Sequence, residues 1–214
     1  FKLYIYDIVI KKKIIKNWFF IFILTHLIIW TLVPSISNIN LPLDTIEALA
    51  WGSNIDWGYS KHPPLSAFLV EFFYQIFGSQ DWAYYLLSQI CVIISFIYIW
   101  KLSNKFFIDK IYSLIAVLFL EGIFFYNFTT PEFNVNVCQL PFWVLTAYYS
   151  FNCLQDNKTI NWVLLGVFAG LGFLSKYLFI YLILAIAFFF IYDSAKKRKF
   201  NLRIFIPILI FLII

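Results

Sequence analysis

Apolar residues in this chain are gathered into long unbroken runs, and the charged residues stand almost entirely between them. A membrane-spanning helix needs about 20 mostly apolar residues. Runs of that kind lie at 18–36, 82–100, 111–128, 135–154, 162–174 and 177–192, with another opening at Phe205. The pattern predicts six spanning helices and the start of a seventh. The 162–174 run is short for a full crossing and reads as tilted, partly broken or re-entrant; counting it as a span makes the charge parity work. Residues 65–77 are apolar but interrupted by Glu71 and Gln75 and closed by Gly78. They predict a helix lying along the membrane surface, not across it.

Composition agrees with this reading. Of 214 residues, 63% are apolar, 23% aromatic and 13% charged, against about 25% charge in an ordinary globular domain. Too little polar surface remains to coat a soluble core, which excludes a soluble enzyme and equally excludes disorder. The chain starts at Phe1, contains no Met and stops inside an apolar run, so it reads as the N-terminal part of a longer protein.

The net charge of +5 would suggest nucleic acid only if the cations formed one stripe. They do not. With a cytoplasmic N-terminus, Lys2, Lys11, Lys12, Lys13, Lys16, Lys101, Lys105, Lys110, Lys158, Lys196, Lys197, Arg198, Lys199 and Arg203 all fall inside. Those are fourteen of the sixteen cations, as the positive-inside rule requires. Only Lys61 and Lys176 are left outside, with Asp44, Glu47, Asp56, Glu71, Asp81 and Glu132. Acids contribute little to topology, so the outer face is where chemistry is expected. A signal peptide at the N-terminus fits less well than a retained helix, because the apolar run is long and no small-residue cleavage site follows.

Cys91, Cys138 and Cys153 lie inside apolar runs without metal-ligand or redox spacing, and read as small buried residues. The chain shows no phosphate loop, dinucleotide fingerprint or HExxH.

Residues 37–81 form a connection far longer than helix pairs need, too aromatic to be disordered. Asp44 and Glu47 stand at i and i+3 and share a face if a helix opens there; Asp44 also reads as the N-cap of that helix. Trp51, Trp57, Tyr59 and Trp82 read as headgroup-level anchors or, alternatively, as sugar-stacking rings.

Asp44-x-x-Glu47-x-x-x-Trp51-Gly52 and Trp57-Gly58-Tyr59-x-Lys61-His62-Pro63-Pro64-Leu65 resemble the first outer loop of polyprenyl-phosphate-sugar-dependent glycosyltransferases with the GT-C fold. Protein O-mannosyltransferases, lipid A aminoarabinose transferases and lipopolysaccharide-core galacturonosyltransferases share it. The similarity continues through Phe77-Gly78, Thr130-Pro131-Glu132-Phe133-Asn134 and Gly170-Leu171-Gly172-Phe173-Leu174-Ser175-Lys176-Tyr177, covering about residues 40–195. These families carry an essential acid in the first loop, usually as an adjacent Asp-Glu pair. Here Ile46 stands where that Asp would be, and Asp44 lies two residues upstream.

The resemblance implies an all-α polytopic membrane protein, a GT-C helical bundle whose first outer loop carries interfacial helices, with 1–214 as the N-terminal part of that domain. It implies transfer of a hexose, pentose or uronic acid from a polyprenyl-phosphate donor to lipid A, lipopolysaccharide, another glycan or a protein. The place implied is the periplasmic face of a bacterial inner membrane. Asp44 is then the base, with Glu47 as its partner or as an acceptor ligand. Lys176, Lys61 and His62 are candidates for the donor phosphate, and Glu132 and Tyr59 for orienting substrate. No cofactor is required, no metal ligand is assigned, and a role for a divalent ion is left open. No nucleic acid is a partner.

Several residues keep a second reading. Lys176 also reads as a snorkelling helix-end lysine, His62 as a loop hydrogen bonder and Glu132 as a cap for a helix beginning near Phe133. Glu121 and His26, inside predicted spans, read as interhelical hydrogen-bonding residues or, for Glu121, as a functional intramembrane acid. At the level of the whole chain, a transporter or flippase of lipid-linked sugars is the competing class.

Overall fold

A computed structural model describes residues 2–214, with side chains from residue 10 onward. Phe1 and the Lys2 side chain, one of the fourteen cations, lie outside the described part. Among the described residues nine helices follow one another: α1 (Lys2–Ser37), α2 (Leu43–Gly52), α3 (Leu65–Phe77), α4 (Asp81–Phe106), α5 (Lys110–Glu121), α6 (Val135–Gln155), α7 (Thr159–Ser175), α8 (Ile180–Lys197) and α9 (Phe205–Ile213). Short 3₁₀ turns occupy Phe124–Tyr126, Tyr177–Phe179 and Leu202–Ile204. The described residues form an all-α polytopic membrane protein. Among the described residues three helical stretches are long and apolar enough to cross a bilayer: Ile10–Ser37, Asp81–Phe106 and Tyr177–Lys197.

The long helices alternate in direction. At one end Lys11 meets Asp109 at 2.6 Å, Lys105 reaches Gln155 at 3.3 Å, and Arg203 donates to the Asn157 carbonyl. At the other, Asn38 at the close of α1 reaches the Tyr85 hydroxyl early in α4 at 3.1 Å. The helix starts and ends therefore sort into two groups in the order expected from the sequence. Asp109 caps α5 by accepting from Ile111 N, and its hydrogen bond from Lys11 holds its carboxyl below the usual range.

Three clusters hold the bundle. Ile15, Phe19 and Ile23 of α1 pack with Val92 and Phe96 of α4 and with Leu114 and Val117 of α5. Ala48, Val70, Tyr84, Leu87, Cys91, Phe133, Val137 and Cys138 tie α2, α3, α4 and α6 together beneath the long loop. Trp162, Leu165, Cys153 and Phe190 join α6, α7 and α8. All three cysteines are free and buried. Lipid is as apolar as leucine, so between spanning helices close packing and hydrogen bonds decide, at about 0.6–2 kcal/mol for each interhelical bond.

The small residues of α7 show such packing. A Cβ at Gly166 would stand 2.8 Å from Pro207 Cα and 2.9 Å from Ile210 Cβ of α9, and one at Gly170 would stand 3.0 Å from Ile214 Cβ. Gly172 lies under the Phe179 ring, where a Cβ would come within 2.4 Å.

One predicted span is corrected. The run 111–128 is helical only to Glu121, after which the chain folds through Gly122 and the Phe124–Tyr126 turn. The Asn127 amide takes the Glu121 carbonyl, so a side chain replaces the next helical N–H. The first helix also begins well before Trp18, at Lys2. The helix predicted over residues 65–77, by contrast, occupies those residues: Pro63 and Pro64 precede it, and Gly78 ends it at φ +66°, a left-handed turn that glycine adopts without cost.

Candidate active site

At the end of the bundle opposite Lys11 and Arg203, the long loop folds over the starts of α4 and α6 and the close of α7. The Trp51-Gly52 motif is explained by contact. A Cβ at Gly52 would fall 2.8 Å from the Ala67 carbonyl and 3.0 Å from Glu71 Cβ, so only glycine lets α2 close against α3.

Asp44 sits in the first turn of α2, whose N-cap position is Pro42. The capping reading of Asp44 therefore gives way: its backbone N–H donates to Glu132 Oε1 at 3.1 Å, and its carboxylate accepts from Asn134 Nδ2 at 3.1 Å. Thr45 beside it is fully buried and donates to the Phe133 carbonyl at 3.1 Å, which pins α2 to the 132–134 turn. Asp44 itself is exposed. Among the described residues the carboxylate bonds to a neutral amide alone, so it keeps lone pairs for a proton.

Glu47 differs. It accepts from Lys61 at 2.6 Å, and this hydrogen bond raises the Lys61 ammonium above the ordinary lysine range. A raised lysine pKa keeps the contribution of the pair intact below that range, and it is lost only as pH rises through the shifted value. Assays between about pH 6 and 9 therefore see the lysine charged.

The rest of the loop is built on its own backbone. Tyr59 OH donates to the Trp51 carbonyl at 2.9 Å and accepts from Asp56 N at 3.2 Å, and the two rings stack at 5.3 Å. His62 lies edge-on to Trp51 at 5.8 Å, and its carbonyl accepts from Tyr59 N at 3.1 Å. The Trp57 indole is 80% exposed. Gly58 lies close enough to the Tyr177–Phe179 turn that a Cβ there would be 3.9 Å from the Tyr177 hydroxyl. The segment bearing Lys61 thus abuts the turn bearing Lys176.

Lys176 follows α7 in extended conformation and donates to Asn136 Oδ1 in the first turn of α6. Asn134 is the N-cap of that helix, accepting from Asn136 N at 2.9 Å and Val137 N at 3.2 Å. A base candidate and a cation are held by the same helix start. The family model of dolichyl-phosphate-mannose-protein mannosyltransferases matches residues 61–214 of this arrangement. The chain belongs to that family.

No curated protein and no solved structure matches the chain. Membership in the mannosyltransferase family makes it a membrane glycosyltransferase that draws on a lipid-linked sugar donor. The matched stretch includes Lys61, His62, Glu132 and Lys176 and begins after Asp44 and Glu47. For this mannosyltransferase-family chain, Glu47→Gln is expected to lower transfer by less than about tenfold, because an exposed ion pair contributes about 0–1 kcal/mol. Initial rates of the variant against wild type check it; a larger loss assigns Glu47 a direct chemical role.

Two residues escaped the sequence reading. Asn134 and Asn136 complete the site, and the signal was an Asn at a helix start, the residue type favoured there. The capping role predicted for Glu132 belongs to Asn134; Glu132 instead receives the Asp44 backbone. Glu121 and His26 form an interhelical pair at 2.7 Å, with Trp30 Nε1 on Glu121 at 3.2 Å and Gln89 on His26 at 3.1 Å. Gln89 continues to Thr130 at 2.9 Å, and Thr130 donates to the Asn127 carbonyl at 2.7 Å. Glu121 thus anchors, through His26, Gln89 and Thr130, the turn that ends in Glu132 and Asn134.

Proposed function

We propose that this chain moves a sugar from a polyprenyl-phosphate donor to a hydroxyl of lipid A, a lipopolysaccharide core, another glycan or a protein, at the periplasmic face of a bacterial inner membrane. Asp44 is the base. The supporting observation is the contrast within the i, i+3 pair: the Glu47 carboxylate is bonded to an ammonium, while the exposed Asp44 carboxylate is bonded, among the described residues, to an amide alone. In the reaction Asp44 takes the acceptor proton. The acceptor oxygen attacks the anomeric carbon as the bond to the phosphate oxygen breaks, and configuration inverts. The electron pair leaves on the lipid phosphate, whose charge Lys176 offsets. Lys61 and His62 lie on the neighbouring loop and complete the donor side. The aromatic loop and the α3 helix rest at headgroup level, which brings lipid-borne substrates to Asp44 without their leaving the bilayer.

The test is direct. Purified protein given a radiolabelled polyprenyl-phosphate sugar and candidate acceptors is expected to yield a new glycosidic product. Translocation of the donor with no such product would sink the transferase reading in favour of a flippase.

A further inference from the structure

The end of the bundle far from Asp44 carries a second constructed site. Between the last turn of α8, the residues 198–204 and the start of α7 lies a cavity of about 430 Å³, lined by Asn157, Trp162, Ser194, Lys199, Asn201 and Arg203 among others. It adjoins a groove of about 530 Å³ between α8 and α9 with almost wholly apolar walls, including Ile183, Ala187, Ile191 and Ile208. Phe190, Ser194, Phe200 and Ile204 line both, so the cavity and the apolar groove adjoin along these residues. Each volume falls in the range of about 300–1,000 Å³ usual for small-molecule sites.

Charge decides what fits. Lys197, Lys199 and Arg203 line the first cavity against one acid, Asp193. Lys197 is taken up by Asp193 at 2.8 Å, and like Lys196 it is accounted for by the α8 C-terminus, where cations are favoured. Neither explanation covers Lys199 and Arg203, which lie beyond the helix. Among the described residues no carboxylate forms an ion pair with either. Arg203 donates to the Asn157 carbonyl, which uses only part of a guanidinium with five donors. Asn201 bonds Asn157 at 2.7 Å and Trp162 bonds the same side-chain oxygen at 3.0 Å, so the floor of the cavity is held rigid.

We propose that this paired cavity binds an anionic phospholipid, its phosphate between Lys199 and Arg203 and one acyl chain along the α8–α9 groove. Basic pockets between membrane helices suit such headgroups, and the groove gives the chain a wall that a soluble anion has no use for. The site is separate from the donor site at Lys176, since the seventeen residues of α7 put about 25 Å between the two ends.

The test uses the whole chain in detergent, with phosphatidylglycerol or phosphatidylcholine bearing an acyl-chain diazirine. Phosphatidylglycerol is expected to label 183–212 preferentially, and native mass spectrometry to show it retained over phosphatidylcholine. Lys199→Gln, at an exposed residue, should cut that retention about fivefold, and Lys199→Gln with Arg203→Gln by about 25-fold. Equal retention of the two lipids, or labelling spread evenly over the apolar helices, overturns the proposal. So does retention of inorganic phosphate without lipid preference, or an absence of labelling because a protein segment covers the groove.

Discussion

Asp44→Asn is expected to lower the rate of sugar transfer by about 10²–10⁴-fold, the usual contribution of a positioned general base. The change removes a proton acceptor and little else. Asparagine keeps the shape of aspartate and a carbonyl oxygen that can accept from Asn134, so the α2 turn and its bond to Glu132 remain. Donor affinity should hardly move, because the cation proposed for the phosphate, Lys176, is fixed by Asn136. Single-turnover rates at saturating donor, with membrane insertion checked in parallel, give the measurement. Near-normal turnover would transfer the base role to Glu47, whose ion pair with Lys61 would then have to open during the reaction.

The largest structural effect is expected at Gly172. A valine there would put its Cβ 2.4–2.6 Å from three atoms of the Phe179 ring. That ring cannot retreat, being fully buried and edge-on to Trp143 at 5.6 Å. Gly172→Val should therefore cost at least the roughly 3 kcal/mol at the upper end of ordinary overpacking. Native stabilities are themselves only about 5–15 kcal/mol. Gly58→Ala is the control, since nothing stands nearer than 3.9 Å, and it should change stability by less than about 0.5 kcal/mol. Thermal unfolding of the two variants in the same detergent separates them. An unchanged midpoint for Gly172→Val would mean that the α7 close and the 177–179 turn do not pack as described.

What could be read from the sequence followed the range of the forces involved. The 65–77 helix was legible to the residue because its limits are local: two prolines before it and a glycine with positive φ after it. The alternation of spans was legible because charge sits between runs, whatever the partners. The end of α5 was not, because it is set by Asn127, and the Glu121 carboxylate finds its partner His26 ninety-five residues away. Pairing of Glu47 with Lys61 likewise needed the loop closed by Tyr59 on Trp51. The acids singled out at 44 and 132 do come together, but through the Asp44 backbone N–H and the Glu132 carboxylate and not carboxylate to carboxylate, a contact with no sequence pattern.

The first turn of α6 has one more consequence. Asn134 holds Asp44 and Asn136 holds Lys176, so the proposed base and the proposed phosphate ligand are both measured from a single rigid datum. In-line displacement demands a constant span between the group that takes the proton and the group that receives the departing charge. Referencing both to one helical turn, ahead of Pro141 in the same helix, lets the bundle tilt or breathe in the bilayer as a body.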